Sequence, residues 1–197
     1  MLAPMSLSES DLVVRARRGD TAAGNELATR FRRPCYLLAL QLLGNQDDAL
    51  DVAQDSLLSF FTKLHRFQAE RPVKPWLLAI VRNRAHDLLR RRKVRAAEPL
   101  PGEGETYRPE LIDEDADPAA DLEQRELRAR VWRALSALAD NQREILVLRD
   151  YQDLSYSEIA AVLDIPIGTV MSRLHRARNS LRELLSAEPR STDAART

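Results

Sequence analysis

One cysteine among 197 residues excludes an intramolecular disulfide, and a lone Cys35 reads as a small buried hydrophobe, as in chains from reducing compartments. The three histidines, His65, His86 and His175, show no metal-ligand spacing with it, so neither a metal nor any other cofactor is expected. Glycine and proline are scarce, at six and ten, which leaves long segments to Ala, Leu and Arg, all strong helix formers. No apolar run approaches the roughly 20 residues that span a bilayer. The N-terminus also lacks a charged start followed by an apolar stretch, so a cytoplasmic protein is expected. Neither sign of charge is in excess, since 30 basic residues meet 30 acidic ones.

Zero net charge argues against a nucleic-acid partner only until its distribution is considered. Residues 1–95 carry 17 Lys/Arg against 10 Asp/Glu, a net of +7. Residues 96–121 hold one base, Arg108, and nine acids, while residues 122–197 are nearly balanced at +1. A basic block is thus separated from a second block by an acidic connector, and that asymmetry carries more information than the total.

Periodicity predicts helices on both sides of the connector. Residues 8–18 form a first helix, opened by Ser8 or Ser10 and closed by Gly19. A second runs from Asp20 to Gly44, with Pro34 expected to kink or locally break it. Asp47 opens a third, whose apolar positions Leu50, Ala53, Leu57, Phe61 and Leu64 recur at helical spacing. Pro75 begins a fourth that ends in the basic run Arg90, Arg91, Arg92, Lys93 and Arg95. Between Ala96 and Asp121 the pattern dissolves into prolines, glycines and acids, the composition of a flexible linker. Its 26 residues reach at most about 90 Å at ~3.3–3.6 Å each. Beyond it, Leu127, Val131, Leu135 and Leu138 mark one amphipathic helix, and Ile145, Leu146 and Leu148 another. From Ala187 the tail is polar. The fold expected is all-α, with two small helical domains (1–95 and 122–186) joined by the acidic linker 96–121.

The most informative segment runs from Leu154 to Leu181. Ser155 and Glu158 form an S-x-x-E capping box that starts a helix. Asp164-Ile165-Pro166 ends it, Asp tolerating the left-handed backbone where glycine is more common, and Pro166 suits the first turn of a second helix. There, Ile167, Val170, Leu174, Ala177 and Leu181 share one side, and Thr169, Ser172, Arg173 and Arg176 share another. One face packs and the other offers hydroxyls and guanidinium groups, which is what a helix-turn-helix needs in a major groove. A surface helix merely rich in Arg is the plain alternative for either arginine alone.

This string resembles the promoter-binding C-terminal domain of the extracytoplasmic-function sigma factors of bacterial RNA polymerase. Two further segments resemble the same family. D-D-A-L-D-V-A-Q-D-S-L-L-S-F-F (47–61) is similar to its polymerase-binding helix, and P-W-L-L-A-I-V-R-N-R-A-H-D-L-L-R-R-R (75–92) to its promoter-melting helix. The resemblance implies a non-enzymatic factor that binds core polymerase and directs promoter-specific initiation in a stress or envelope response, often under the control of an anti-sigma protein. It implies that Asp51, Gln54 and Asp55 meet the clamp helices of the largest polymerase subunit. From the residues alone, that acidic stripe reads as a solvated face before it reads as a contact. It also implies that Asn83 approaches a flipped minus-ten base, with Arg84, Arg90 and Arg91 on phosphates. Thr169, Ser172, Arg173 and Arg176 would then read the minus-thirty-five element. Trp76, at helical spacing with Leu77 and Ile80, reads as core before it reads as a base-stacking ring. The linker is either an RNA-mimicking element in the polymerase cleft or a plain spacer.

Two departures from the family pattern stand out. The loop R-F-Q-A-E-R-P-V-K-P before Trp76 is stiffened by Pro72 and Pro75, and Met171 takes a recognition-helix position where the family often has a base. A stand-alone helix-turn-helix regulator is the competing reading. An enzyme acting on nucleic acid is disfavoured, because the sequence offers no Gly-rich phosphate loop and no nucleophile beside a base.

Overall fold

The computed structural model describes residues 7–68, 71–96 and 122–187. The expected linker beyond Ala96 and the tail beyond Ala187 lie outside them. Every regular element among the described residues is helical.

Four helices build the N-terminal unit: α1 Glu9–Arg17, α2 Thr21–Leu43, α3 Gln46–Lys63 and α4 Val73–Ala96. Each start has a local cause. The Ser8 side chain accepts from the Asp11 amide, and the Asp20 side chain from the Ala23 amide. That Ala23 bond, with the Arg15 guanidinium behind it, holds the Asp20 carboxyl below its usual range. Asn45, not Asp47, caps α3, accepting from the Asp48 amide at 3.0 Å. Asp47 and Asp48 sit instead in the first turn, where negative charge suits the helix dipole. Gly44 ends α2 in the left-handed conformation at φ 67°.

The local break allowed for at Pro34 does not occur, while Pro75 stands at the start of α4 as expected. Helix α2 runs unbroken through Pro34, and α4 begins two residues before Pro75, which occupies the first turn where no amide partner is needed. Leu27, Phe31, Leu38, Phe60, Leu77 and Val81 fill the unit's interior. Cys35 is fully buried among them, and burial pushes its thiol up to about 12, as befits an inert core residue. Trp76 is half-buried, stacked on Phe67 with centroids 4.9 Å apart and tilted against Phe60 at 5.4 Å, a packing role rather than an exposed ring.

The C-terminal unit comprises α5 Leu122–Ala137, α6 Asp140–Leu146, a π-helical turn Val147–Tyr151, α7 Tyr156–Leu163 and α8 Ile167–Ala187. Trp132, Leu135, Leu138, Ile145, Leu148, Ile159, Val170 and Leu174 form its interior. Of the apolar stripe expected for α5, Leu135 and Leu138 are buried, joined by Trp132, while Leu127 in the first half of the helix is exposed.

The two units touch. Helix α4 packs against α7, and α2 against α6 and the π turn. The buried side chains of both units form one continuous cluster.

Candidate nucleic-acid interface

The helix-turn-helix forms as its sequence dictates. Both capping-box bonds of α7 are present: the Ser155 amide donates to Glu158 Oε2 at 2.7 Å, and the Glu158 amide to Ser155 Oγ at 3.3 Å. Asp164 closes α7 in the left-handed conformation (φ 54°, ψ 51°). Pro166 stands one position earlier than expected. It precedes α8, and its carbonyl accepts the first bonds, from the Thr169 and Val170 amides.

Val170, Leu174 and Ala177 bury one side of α8, which packs on α5, α6 and α7. Ser172 and Arg176 are exposed on its other side, and Thr169 and Arg173 are half-buried beside them. The Arg176 Nε donates only to the Ser172 carbonyl within its own helix, at 3.3 Å. Neither Arg173 nor Arg176 has an acidic partner among the described residues. Arg178, by contrast, is held by Asp150 at 2.8 Å, which raises its pKa above the ordinary guanidinium value. The arginines at the two candidate positions are therefore available to an external acceptor, and Arg178 is a tie within the unit. Met171 is exposed on this helix.

The N-terminal candidates fall into a more connected arrangement than the sequence suggests. Asp51, Gln54 and Asp55 are all exposed on α3. Asp51 and Asp55 line a groove between α3 and α4, together with Asp48, Arg84, Asp87 and Arg91 and with Val52 and Leu88. Arg84 Nη1 meets Asp55 Oδ2 at 3.0 Å, and Arg92 Nη2 meets Asp48 Oδ1 at 2.6 Å. Residues assigned to two different partners thus share one groove. Arg90 lies outside it, tied only to Asp87 at 2.6 Å across one helical turn, and Asn83 is exposed. Such exposed pairs are weak, at about 0–1 kcal/mol, so an incoming ligand displaces them easily.

Sequence reasoning missed an apolar component. Leu50 and Leu58 are 55% and 61% exposed, on the same side of α3 as Asp51, Gln54 and Asp55. Leu50 was expected in the core. The inward stripe is Ala49, Val52, Ala53, Ser56 and Phe60, rotated by one residue from the expected one. A binding face that combines acids with two exposed leucines fits a protein partner better than plain solvent.

This geometry shows two helical units, one holding a helix-turn-helix with unpaired arginines and the other an α3 face of exposed acids and leucines. Comparison with known proteins makes the class specific. Residues 27–95 match Sigma-70 region 2, and residues 128–181 match Sigma-70, region 4. The chain is 29% identical to the ECF RNA polymerase sigma factor SigW of Bacillus subtilis, over 88% of this chain and 94% of that one. It is 31% identical to the ECF RNA polymerase sigma-E factor of Salmonella typhimurium, over 89% and 93%. Among solved structures, it superposes with a TM-score of 0.67 on the sigma factor RpoE of Bartonella quintana in complex with the anti-sigma factor NepR, at 28% identity, covering 84% of this chain and 98% of that one. The same score, at 26% identity and 92% and 99% coverage, relates it to CnrH in complex with the cytosolic domain of CnrY. The chain belongs to the extracytoplasmic-function sigma factors, which direct transcription initiation and are not themselves enzymes. Membership of the family implies core RNA polymerase and promoter DNA as partners. No helix among the described residues is long and apolar enough to cross a membrane.

Proposed function

We propose that the two units, 1–95 and 122–186, divide promoter recognition between them in the cytoplasm. Helix α3 docks on the clamp helices of the largest polymerase subunit through Asp51, Gln54 and Asp55, with Leu50 and Leu58 as apolar anchors at the same face. Basic groups of the polymerase meet the carboxylates by charge-assisted hydrogen bonds. In doing so they compete with Arg84 for Asp55, which releases Arg84 toward DNA. Arg84, Arg90 and Arg91 of α4 then lie along the minus-ten phosphates and Asn83 approaches a base. Thr169, Ser172, Arg173 and Arg176 of α8 read the minus-thirty-five element in the major groove.

The observation that carries this reading is the pair Arg173 and Arg176, which stand on the outward side of a well-formed recognition helix without acidic partners among the described residues. A guanidinium group so placed can pair bidentately with guanine. The solved relatives in complex with NepR and CnrY support an anti-sigma partner for this chain too, one that covers the docking face or the recognition helix until an envelope or other stress signal releases it.

Gel mobility shifts on promoter duplex, with and without core polymerase, test the reading. We expect a specific complex only when core is added. Specific duplex binding by the chain alone, with no further shift from core, would favour the stand-alone regulator.

A further inference from the structure

The exposed side of α8 is not uniformly polar. Ile167 and Met171 are 49% and 55% exposed. They stand four positions apart, which makes them neighbours on one row of the helix. Both belong to its first two turns, the part of a recognition helix that meets base edges. Gly168 lies beside them, also exposed, and a Cβ there would meet nothing else of the fold within 4 Å. The space that its missing side chain leaves is open, so a flat surface can approach this row closely.

Charge narrows what covers these side chains. Between Ile167 and Arg182, α8 carries four arginines and no acid, which suits a polyanion. Ser172, next to Met171, and Arg176 share the exposed side. Chemistry narrows the choice further within a duplex. Phosphate oxygens and most base edges call for a donor or an acceptor, which Ile167 lacks and the Met171 thioether supplies only weakly. The C5-methyl of thymine is the one apolar substituent displayed in the major groove.

We propose that Met171, backed by Ile167, reads a thymine of the upstream promoter element by packing against its methyl group. The proposal rests on the placement of α8 in the major groove put forward above. It adds a specificity that the hydroxyls and guanidinium groups of the helix do not supply. A basic side chain at position 171 would reach phosphate and add affinity without regard to sequence. Met171 gives up that affinity and discriminates between bases instead.

Deoxyuridine isolates the claim, because it differs from thymidine only by that methyl. Thymines on either strand of the upstream element are replaced one at a time, and binding of the holoenzyme is measured by competition. One replacement should weaken the wild-type holoenzyme by about 4-fold, the value of burying a single methyl. The same replacement should make no difference to Met171→Ala, and Ile167→Ala should show a reduced ratio. Both side chains are exposed and alanine is the better helix former, so these variants keep the fold. Met171→Arg should also lose the ratio, while its binding becomes more salt-dependent. A wild type indifferent to every replacement, or a Met171→Ala variant that keeps the full thymine-to-uracil ratio, would overturn the contact. So would a Met171→Ala variant that loses core polymerase affinity with the ratio unchanged, which assigns the row to a protein. The Arg173→Ala and Arg176→Ala variants separate this proposal from the reading it rests on. Altered promoter preference in those two with no effect of uracil removes only the thymine contact. No altered preference in any variant of the helix removes α8 from the upstream element altogether.

Discussion

An Asp51→Arg, Asp55→Arg variant is expected to lose core polymerase binding by roughly 30-fold or more, with its fold intact. Truncating one partner of a desolvated charge pair costs about 2–5 kcal/mol, and 2 kcal/mol is already about 30-fold in affinity. Reversal adds repulsion to that loss. Both residues are exposed on α3, and the ion pair of Asp55 with Arg84 is itself exposed, so stability should change little. Pull-down or fluorescence anisotropy against purified core gives the affinity, and a matched reversal at exposed Glu183 serves as the control. Unchanged affinity in the double variant would remove this face from the polymerase contact and return it to a solvated stripe. Leu50 and Leu58 extend the same argument, since their exposure beside the acids has no purpose in the isolated fold.

The second large effect lies at the other end of the chain. Arg173→Ala and Arg176→Ala should each weaken upstream recognition by about 1–3 kcal/mol for a lost bidentate base contact, or about 5- to 140-fold. The two sit one turn apart on α8 and share neighbours, so the double variant need not be additive. What separates base reading from general attraction is the pattern across sequences. Loss of a base contact relaxes preference at one position of the promoter, whereas loss of a phosphate contact, as expected for Arg90→Ala, weakens all sequences alike. Competition binding of holoenzyme to promoters randomised in the upstream element measures this directly. The same preference profile in wild type and both variants would reject base reading by these arginines.

The parts of this molecule that were legible in the sequence are those whose causes are local. The start of α7 is written in Ser155 and Glu158, three residues apart, and its end in Asp164, one of the few residue types that accept a left-handed backbone. The buried side of α8 follows from spacing, apart from Ile167 at its start, which is 49% exposed, and with it the outward side that carries Thr169, Ser172, Arg173 and Arg176. Helix α3 was harder because it carries two overlapping apolar stripes. The stripe that faces inward includes Ser56, which a polarity pattern counts as outward. Its hydroxyl is satisfied by the Val52 carbonyl at 2.6 Å, so it is buried at little cost, and Leu50 turns out to solvent. Only packing against α2 and α4 decides between the stripes. Pro34 misled for a related reason: tertiary contacts on both sides of it keep α2 continuous where propensity favours a break.

The contact between units was illegible altogether. Arg82 of α4 donates to the buried Glu144 of α6 at 2.8 Å, yet the two are 62 positions apart, and nothing near either residue distinguishes a paired charge from a solvated one. The sharing of one groove by Asp55 and Arg84 was hidden in the same way, since motif resemblance assigns each to a separate partner and says nothing of their distance.

Run-off transcription on a library of promoter fragments, with purified core polymerase and with or without this protein, tests the central claim most directly. The account predicts initiation from a distinct set of promoters only when the protein is present, those promoters sharing two elements at fixed spacing. Absence of any protein-dependent initiation by an active core preparation, with the chain folded and in excess, would contradict it.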